Sequence, residues 1–293
     1  MADGEVVGTG LRDRLPEDRA GAQAAAEALV RENRFTIAVV FPLVGSVVLV
    51  ASAQSWLGPP LRFNPFLVLF GTLVMRTPLL VGLAPLVDRR AGAVLLGLTA
   101  FAYGIELVGV TTGWPYGEFA YLVDLGPMLF GKVPVGLPVF YLPLVVNAYL
   151  LALLVLDSAA ARRSVRLAAT MVTVVAVDLV LDPGAVAIGF WAYGAGGPYY
   201  GVPLSNYAGW LLSGAVAVVG MDVAFERVGL RKRLRACEFM LDDLVSFVVL
   251  WGAINAVYGN WGAVAVAVAM GLGLVRSERF DTALWQSAWV PGW

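Results

Sequence analysis

From residue 36 to residue 275, apolar runs of membrane-crossing length alternate with short polar breaks. Crossing about 30 Å of hydrocarbon takes about 20 predominantly apolar residues in a helix. The runs at 36–56, 65–86, 92–112, 134–156, 165–190, 207–226, 239–260 and 261–275 meet or approach that length. The pattern predicts an all-α, polytopic integral membrane helix bundle over residues 36–276, with about eight transmembrane helices. The last run is short and follows its predecessor through Asn260 and Trp261, which implies a tight hairpin at the membrane face; seven spans is the alternative count. Residues 1–35 are polar, holding seven acids and five arginines up to residue 34, with an Ala-rich middle suited to an amphipathic surface helix. They read as a cytoplasmic tail, as do residues 277–293, and the first span is expected to act as the targeting signal.

Basic residues orient the bundle, because Lys and Arg accumulate in cytoplasmic loops. Seventeen of the twenty lie in the tail, the loops 87–91, 157–164 and 227–238, Arg166 at a helix end and the C-terminal segment. The opposite loops hold only Arg62 and Lys132, and Arg76 lies inside a span. Both termini are therefore expected in the cytoplasm of a multi-pass cell-membrane protein. On the outer face this leaves the loops 113–133 and 191–206, both rich in Gly, Pro and aromatic residues. Trp and Tyr at helix ends ordinarily anchor the membrane interface. Two such long loops on one face, poor in basic residues, predict a lid over a pocket.

Composition narrows the chemistry. Hydrophobic residues make up 59% of the chain and charged residues 14%, against about 25% charged in soluble domains. The formal net charge of −1 excludes the basic footprint of a nucleic-acid partner. A single cysteine, Cys237, excludes an intrachain disulfide and Cys-cluster metal sites. With no histidine, Ser-His-Asp and Cys-His triads, zinc-His sites and His-ligated haem are excluded. Acid–base work falls to Asp, Glu, Tyr or Arg.

Charges inside the spans carry the strongest functional signal, since an ionisable side chain at membrane depth is expensive and faces the bundle interior. Helical rise places Glu106 about 9 Å below the outer face, Asp182 about 12 Å, Arg76 about 16 Å, Asp178 about 18 Å and Asn147 about 20 Å. All fall in one slab. Matching depths predict that Arg76 pairs with Asp178 or shares its network. Asp178 and Asp182, four apart, share one helix face, and Pro183 removes a hydrogen bond near Leu179, whose freed carbonyl needs another partner. Asp222, Asp242 and Asp243 are expected to be wet or paired with the basic 227–235 loop, and Arg233 and its neighbours to face anionic lipid. Asn255 reads as a pocket residue or as helix-to-helix glue.

The stretches GIELVGVTTGWPYGEFAY at 104–121, DLVLDPGAVAIGFWAY at 178–193 and GGPYYGVPLSNYAGW at 196–210 resemble the signature blocks of the membrane carotenoid hydratases of the CruF type, in particular the haloarchaeal members. The use of eighteen arginines against two lysines fits a GC-rich archaeon. The resemblance implies addition of water across the terminal carbon–carbon double bonds of a C50 polyene to give tertiary alcohols, with no metal and no organic cofactor. The implied partners are the carotenoid, water and the lipid bilayer; association with other membrane enzymes of the carotenoid pathway is left open.

Hydrating such an alkene means protonating one carbon, forming a tertiary cation and capturing it with water. On the residues, Glu106 or Asp182 is the candidate proton donor, and Asp178, kept ionised by Arg76, the group that orients water. Trp114, Tyr116, Tyr121, Trp191, Tyr199, Tyr200, Tyr207 and Trp210 are candidates to face the cation, and Asn147 and Asn206 to hold the water or the product hydroxyl. Two other readings use the same residues. A membrane prenyltransferase would carry diphosphate through magnesium on the Asp178-x-x-x-Asp182 pattern, and a non-enzymatic carotenoid or lipid carrier would use the pocket alone.

Overall fold

The computed structural model describes residues 18–277, so the expected tail segments 1–17 and 278–293 lie outside the described residues. Ten α-helices occur among them: α1 Arg19–Glu32, α2 Phe41–Ala53, α3 Pro65–Leu83, α4 Arg89–Thr112, α5 Leu137–Leu156, α6 Arg163–Ala187, α7 Leu204–Ala224, α8 Arg227–Ala236, α9 Asp242–Val257 and α10 Trp261–Arg276. Each of the eight apolar runs coincides with one helix of the set α2–α7, α9 and α10. Six helical segments among the described residues are long and apolar enough to cross a membrane, the first running Thr36–Ala53 because a π-helical turn, Thr36–Val40, leads into α2, while α9 and α10 have 16 residues each. The expected hairpin between these two is present, and it turns at Gly259 with φ +74°.

Helix ends follow local chemistry. Asp18 accepts from Gly21 N at 2.6 Å and starts the Ala-rich α1. Asn64 accepts from Phe66 N and Leu67 N at the head of α3, where Pro65 occupies the first turn, a position in which its missing N–H costs nothing. Asp88 caps α4 through Ala91 N, and Gly113, at φ +74°, ends it in the left-handed region.

At the centre of the bundle stands α5, apolar all round and buried from Pro143 to Leu153, as such a helix must be. It packs against α6, α4, α7 and α3. By contrast only four of the 24 residues of α4 are buried, and it shows Leu96 and Val108 to the surroundings. Close approach of α4 and α7 depends on small residues. Gly109 and Gly209 enclose the Tyr116 ring so tightly that a Cβ at Gly209 would sit 2.4 Å from its Cδ1.

The two aromatic loops depart from the all-α expectation. Residues Phe119–Tyr121 (β1) pair antiparallel with Trp191–Tyr193 (β4), Phe119 opposite Tyr193 and Tyr121 opposite Trp191. A second two-stranded piece joins Met128–Leu129 (β2) to Val133–Pro134 (β3). Backbone groups taken out of water need partners, and the two short loop strands supply them to each other.

Proline breaks inside helices are likewise satisfied. Tyr199 Oη donates to Leu179 O, the carbonyl freed by Pro183, at 3.3 Å. Asn255 Nδ2 donates to Val180 O at 2.8 Å, and Asn260 Nδ2 to Pro183 O at 3.2 Å. Asn255 therefore ties α9 to α6. In α3 the Thr77 hydroxyl donates to Val74 O, the carbonyl freed by Pro78.

The charges correct the sequence-based pairing. Arg76 Nη1 lies 2.5 Å from Asp243 Oδ1, and Asn147 Nδ2 donates to Asp243 Oδ2 at 2.7 Å; Asp178 is not its partner. Neither Asp242 nor Asp243 is wet, since both are 0% exposed, and Asp242 pairs with Arg34 at 2.7 Å. The reason lies just before α9. Phe239, Met240 and Leu241 are buried in a non-helical approach, so α9 starts inside the protein with both carboxylates in its first turn, where the helix dipole favours them. Asp222 is also enclosed, held by Arg163, Arg166 and Tyr149 rather than by the 227–235 loop. Arg233 turns inward, donating to Glu27 at 2.7 Å and to Gly82 O at 2.9 Å.

Candidate active site

A cavity of about 190 Å³ lies between α3, α4, α5, α6, α7 and α9, closed on one side by the paired loops. Its walls are apolar and aromatic, and four charged or amide side chains reach it: Arg76, Glu106, Asp182 and Asn206. Of the aromatic candidates, Tyr116, Tyr121, Trp191 and Trp210 line it.

Each cavity carboxyl is held by a tyrosine from the strand pair. Tyr121 Oη donates to Glu106 Oε1. Tyr193 Oη donates to Asp182 Oδ2 at 2.7 Å. Burial, then the charge of the carboxylate each one faces, pushes both hydroxyls well above the usual tyrosine range, so they act as donors. The β1–β4 register therefore fixes both acids from one sheet. Asn206 Nδ2 adds a bond to the same Asp182 oxygen at 2.5 Å and reaches Asp178 Oδ2 at 2.9 Å. Glu106 and Asp182 also interact electrostatically.

Asp178 sits behind this group. It is 0% exposed and does not line the cavity, and its Oδ1 has no partner among the described residues. The Asp178-x-x-x-Asp182 pattern thus presents one carboxylate to the opening, not two. Asn147 lies beneath Arg76 on Asp243. Tyr199 and Tyr207 pack edge to face, centroids 6.0 Å apart, outside the cavity. Tyr200 is 38% exposed and its hydroxyl accepts from Gly262 N, and Trp114 is 59% exposed.

Sequence reasoning missed Tyr193, Tyr141 and Asp243. Tyr193 was within reach: in Trp191–Tyr193 the alternation of a strand puts Trp191 and Tyr193 on one face. Tyr141 stacks on Trp210 with centroids 5.7 Å apart, and only the packing of α5 on α7 reveals it.

Fold and site together define a polytopic membrane protein whose helices enclose an aromatic cavity bearing two carboxyl groups. The chain belongs to the carotenoid biosynthesis protein family, whose profile matches residues 63–274, a span that contains every cavity-lining residue except Leu49. It is 64% identical over 267 residues to the bisanhydrobacterioruberin hydratase of Haloarcula japonica, an alignment covering 91% of each chain. No solved structure matches the chain.

Proposed function

We propose that this protein is a cofactor-independent carotenoid hydratase that adds water across the terminal carbon–carbon double bonds of bisanhydrobacterioruberin, a C50 carotenoid, giving the tertiary hydroxyls of bacterioruberin. The observation that carries the reading is the placement of Glu106 and Asp182 on one apolar cavity. The 64% identity to a protein of that name supports the substrate.

Glu106 is the proton donor. It accepts one hydrogen bond, through Oε1, and its second oxygen carries the proton to the less substituted carbon of the terminal alkene. The cation that forms at the adjacent tertiary carbon meets the faces of Tyr116, Trp191 and Trp210; such contacts are worth up to about 2 kcal/mol when desolvated. Asp182 accepts two hydrogen bonds on Oδ2 and serves as the base. It orients a water molecule through its other oxygen and takes the proton that the water loses on attack. Return of that proton from Asp182 to Glu106 restores the starting state, so the net reaction is alkene plus water to alcohol. Asp178 acts through Asn206 to set the position of Asp182, and Arg76 stands at the cavity wall with its charge balanced by Asp243.

The topology that suits this role is eight spans in the cell membrane with both termini cytoplasmic, which places the strand-pair lid at the outer face. Expression in a host that accumulates the unhydrated carotenoid tests the function. Pigment heavier by one or two waters supports it, and unchanged pigment supports a carrier.

A further inference from the structure

We propose that Arg76 forms a second subsite in the cavity, one that takes a neutral oxygen ligand. The inference rests on the hydratase reading, and it adds a recognition element beyond the acid pair.

Arg76 lines the cavity from α3 and is 8% exposed. One of its nitrogens, Nη1, is committed to Asp243 at 2.5 Å. Its Nε is sealed within the wall, and Nη2, which makes no hydrogen bond among the described residues, is the donor left open to the cavity. Leaving a guanidinium N–H unpaired inside an apolar wall is costly, and an oxygen that reaches it gains a charge-assisted bond. Val68, Thr72 and Arg76, spaced at i, i+4 and i+8, all line the cavity, so the free donor ends a continuous stripe of α3.

The charge of the ligand follows from Asp243. Fully buried, it already neutralises the arginine, and Asn147 holds its other oxygen at 2.7 Å. An incoming anion would face a balanced pair and would lose its own hydration. A hydroxyl or a water carries no such penalty, and its lone pair fits an Nη2–H. In the hydratase reading that oxygen is either a hydroxyl carried by the polyene end or the water that captures the cation.

Two measurements separate these sources. Trp191, Trp210 and Trp251 line the cavity, so tryptophan quenching reports binding of a linear polyene alcohol and of the hydrocarbon of equal length to the purified protein. For a hydroxyl ligand the alcohol binds about tenfold tighter, and Arg76→Lys, which keeps the charge but loses the fork, abolishes the preference. For water, alcohol and hydrocarbon bind alike, and Arg76→Lys lowers kcat on the native carotenoid at least tenfold with KM unchanged. If Arg76→Lys does not elute as folded protein, the charge-neutral double variant Arg76→Met with Asp243→Asn carries the same two tests. Equal binding of both polyenes together with unchanged kcat in the variant overturns the subsite, as does a preference that survives it. Quenching needs no turnover, so a wild-type protein that hydrates nothing would remove the hydratase reading while leaving the binding result to stand.

Discussion

Tyr121 and Trp191 stand directly opposite one another in the β1–β4 pair, their rings edge to face with centroids 6.4 Å apart. From that pair Tyr121 reaches Glu106, while Tyr193, two residues beyond Trp191 on the neighbouring strand, reaches Asp182. The lid and the acids are therefore one unit, and a change in the loops should be felt at the carboxyl groups.

Removing either tyrosine hydroxyl should slow hydration without unfolding the bundle. Tyr121→Phe and Tyr193→Phe are each expected to lower the turnover rate roughly tenfold, the scale of one buried hydrogen bond. Asn206→Leu should cost more than Tyr193→Phe, because Asn206 bonds both Asp178 and Asp182. Initial rates in membranes check the order; a fully active Asn206→Leu would contradict it.

The Arg76–Asp243 pair is predicted to matter for folding as a pair. Asp243→Ala leaves a buried guanidinium without its counter-charge and should cost about 3–5 kcal/mol. Removing both charges together, in Arg76→Met with Asp243→Asn, should recover most of that loss. Thermal melts in detergent measure both, and a double variant no more stable than Asp243→Ala would refute the coupling.

Glycines on α4 and α7 offer a steric contrast. A methyl group at Gly209 would meet the Tyr116 ring at 2.4 Å and the Pro115 carbonyl carbon at 3.2 Å, so Gly209→Ala should lose about 1–3 kcal/mol and displace a cavity ring. Gly104→Ala meets nothing within 4 Å and should leave melting and activity unchanged. Equal melting temperatures for the two variants would argue against the tight seat of Tyr116 on Gly209.

Much of the bundle was legible because apolar length is a direct consequence of hydrocarbon thickness; the runs at 65–86 and 261–275 end within a residue of the structured segments Pro65–Leu86 and Trp261–Arg276. Glu106, Asp182 and Asn206 were legible for a related reason, since polar groups at that depth turn inward. The partner of Arg76 was not. Depth along a helix says nothing about rotation around it, and Asp178 matched in depth while facing Asn206. Asp243 was placed near the cytoplasmic face because the buried, non-helical approach through Phe239, Met240 and Leu241 has the same apolar composition as a helix turn. The pairing of the two strands was hidden as well, because alternation within Trp191–Tyr193 shows which side chains share a face but not which segment, 70 or more positions away, lies alongside.

The central claim is that the Glu106 carboxyl gives the proton that starts hydration, and it is tested most directly by the pigment mass from cells that supply the unhydrated carotenoid and express Glu106→Gln. Glutamine keeps the shape and an acceptor for Tyr121 but has no acidic proton, and general acid catalysis contributes about 10²–10⁴-fold. The account predicts pigment that stays at the unhydrated mass beside a wild-type control that gains water. Full conversion by Glu106→Gln, at wild-type protein levels, would contradict it.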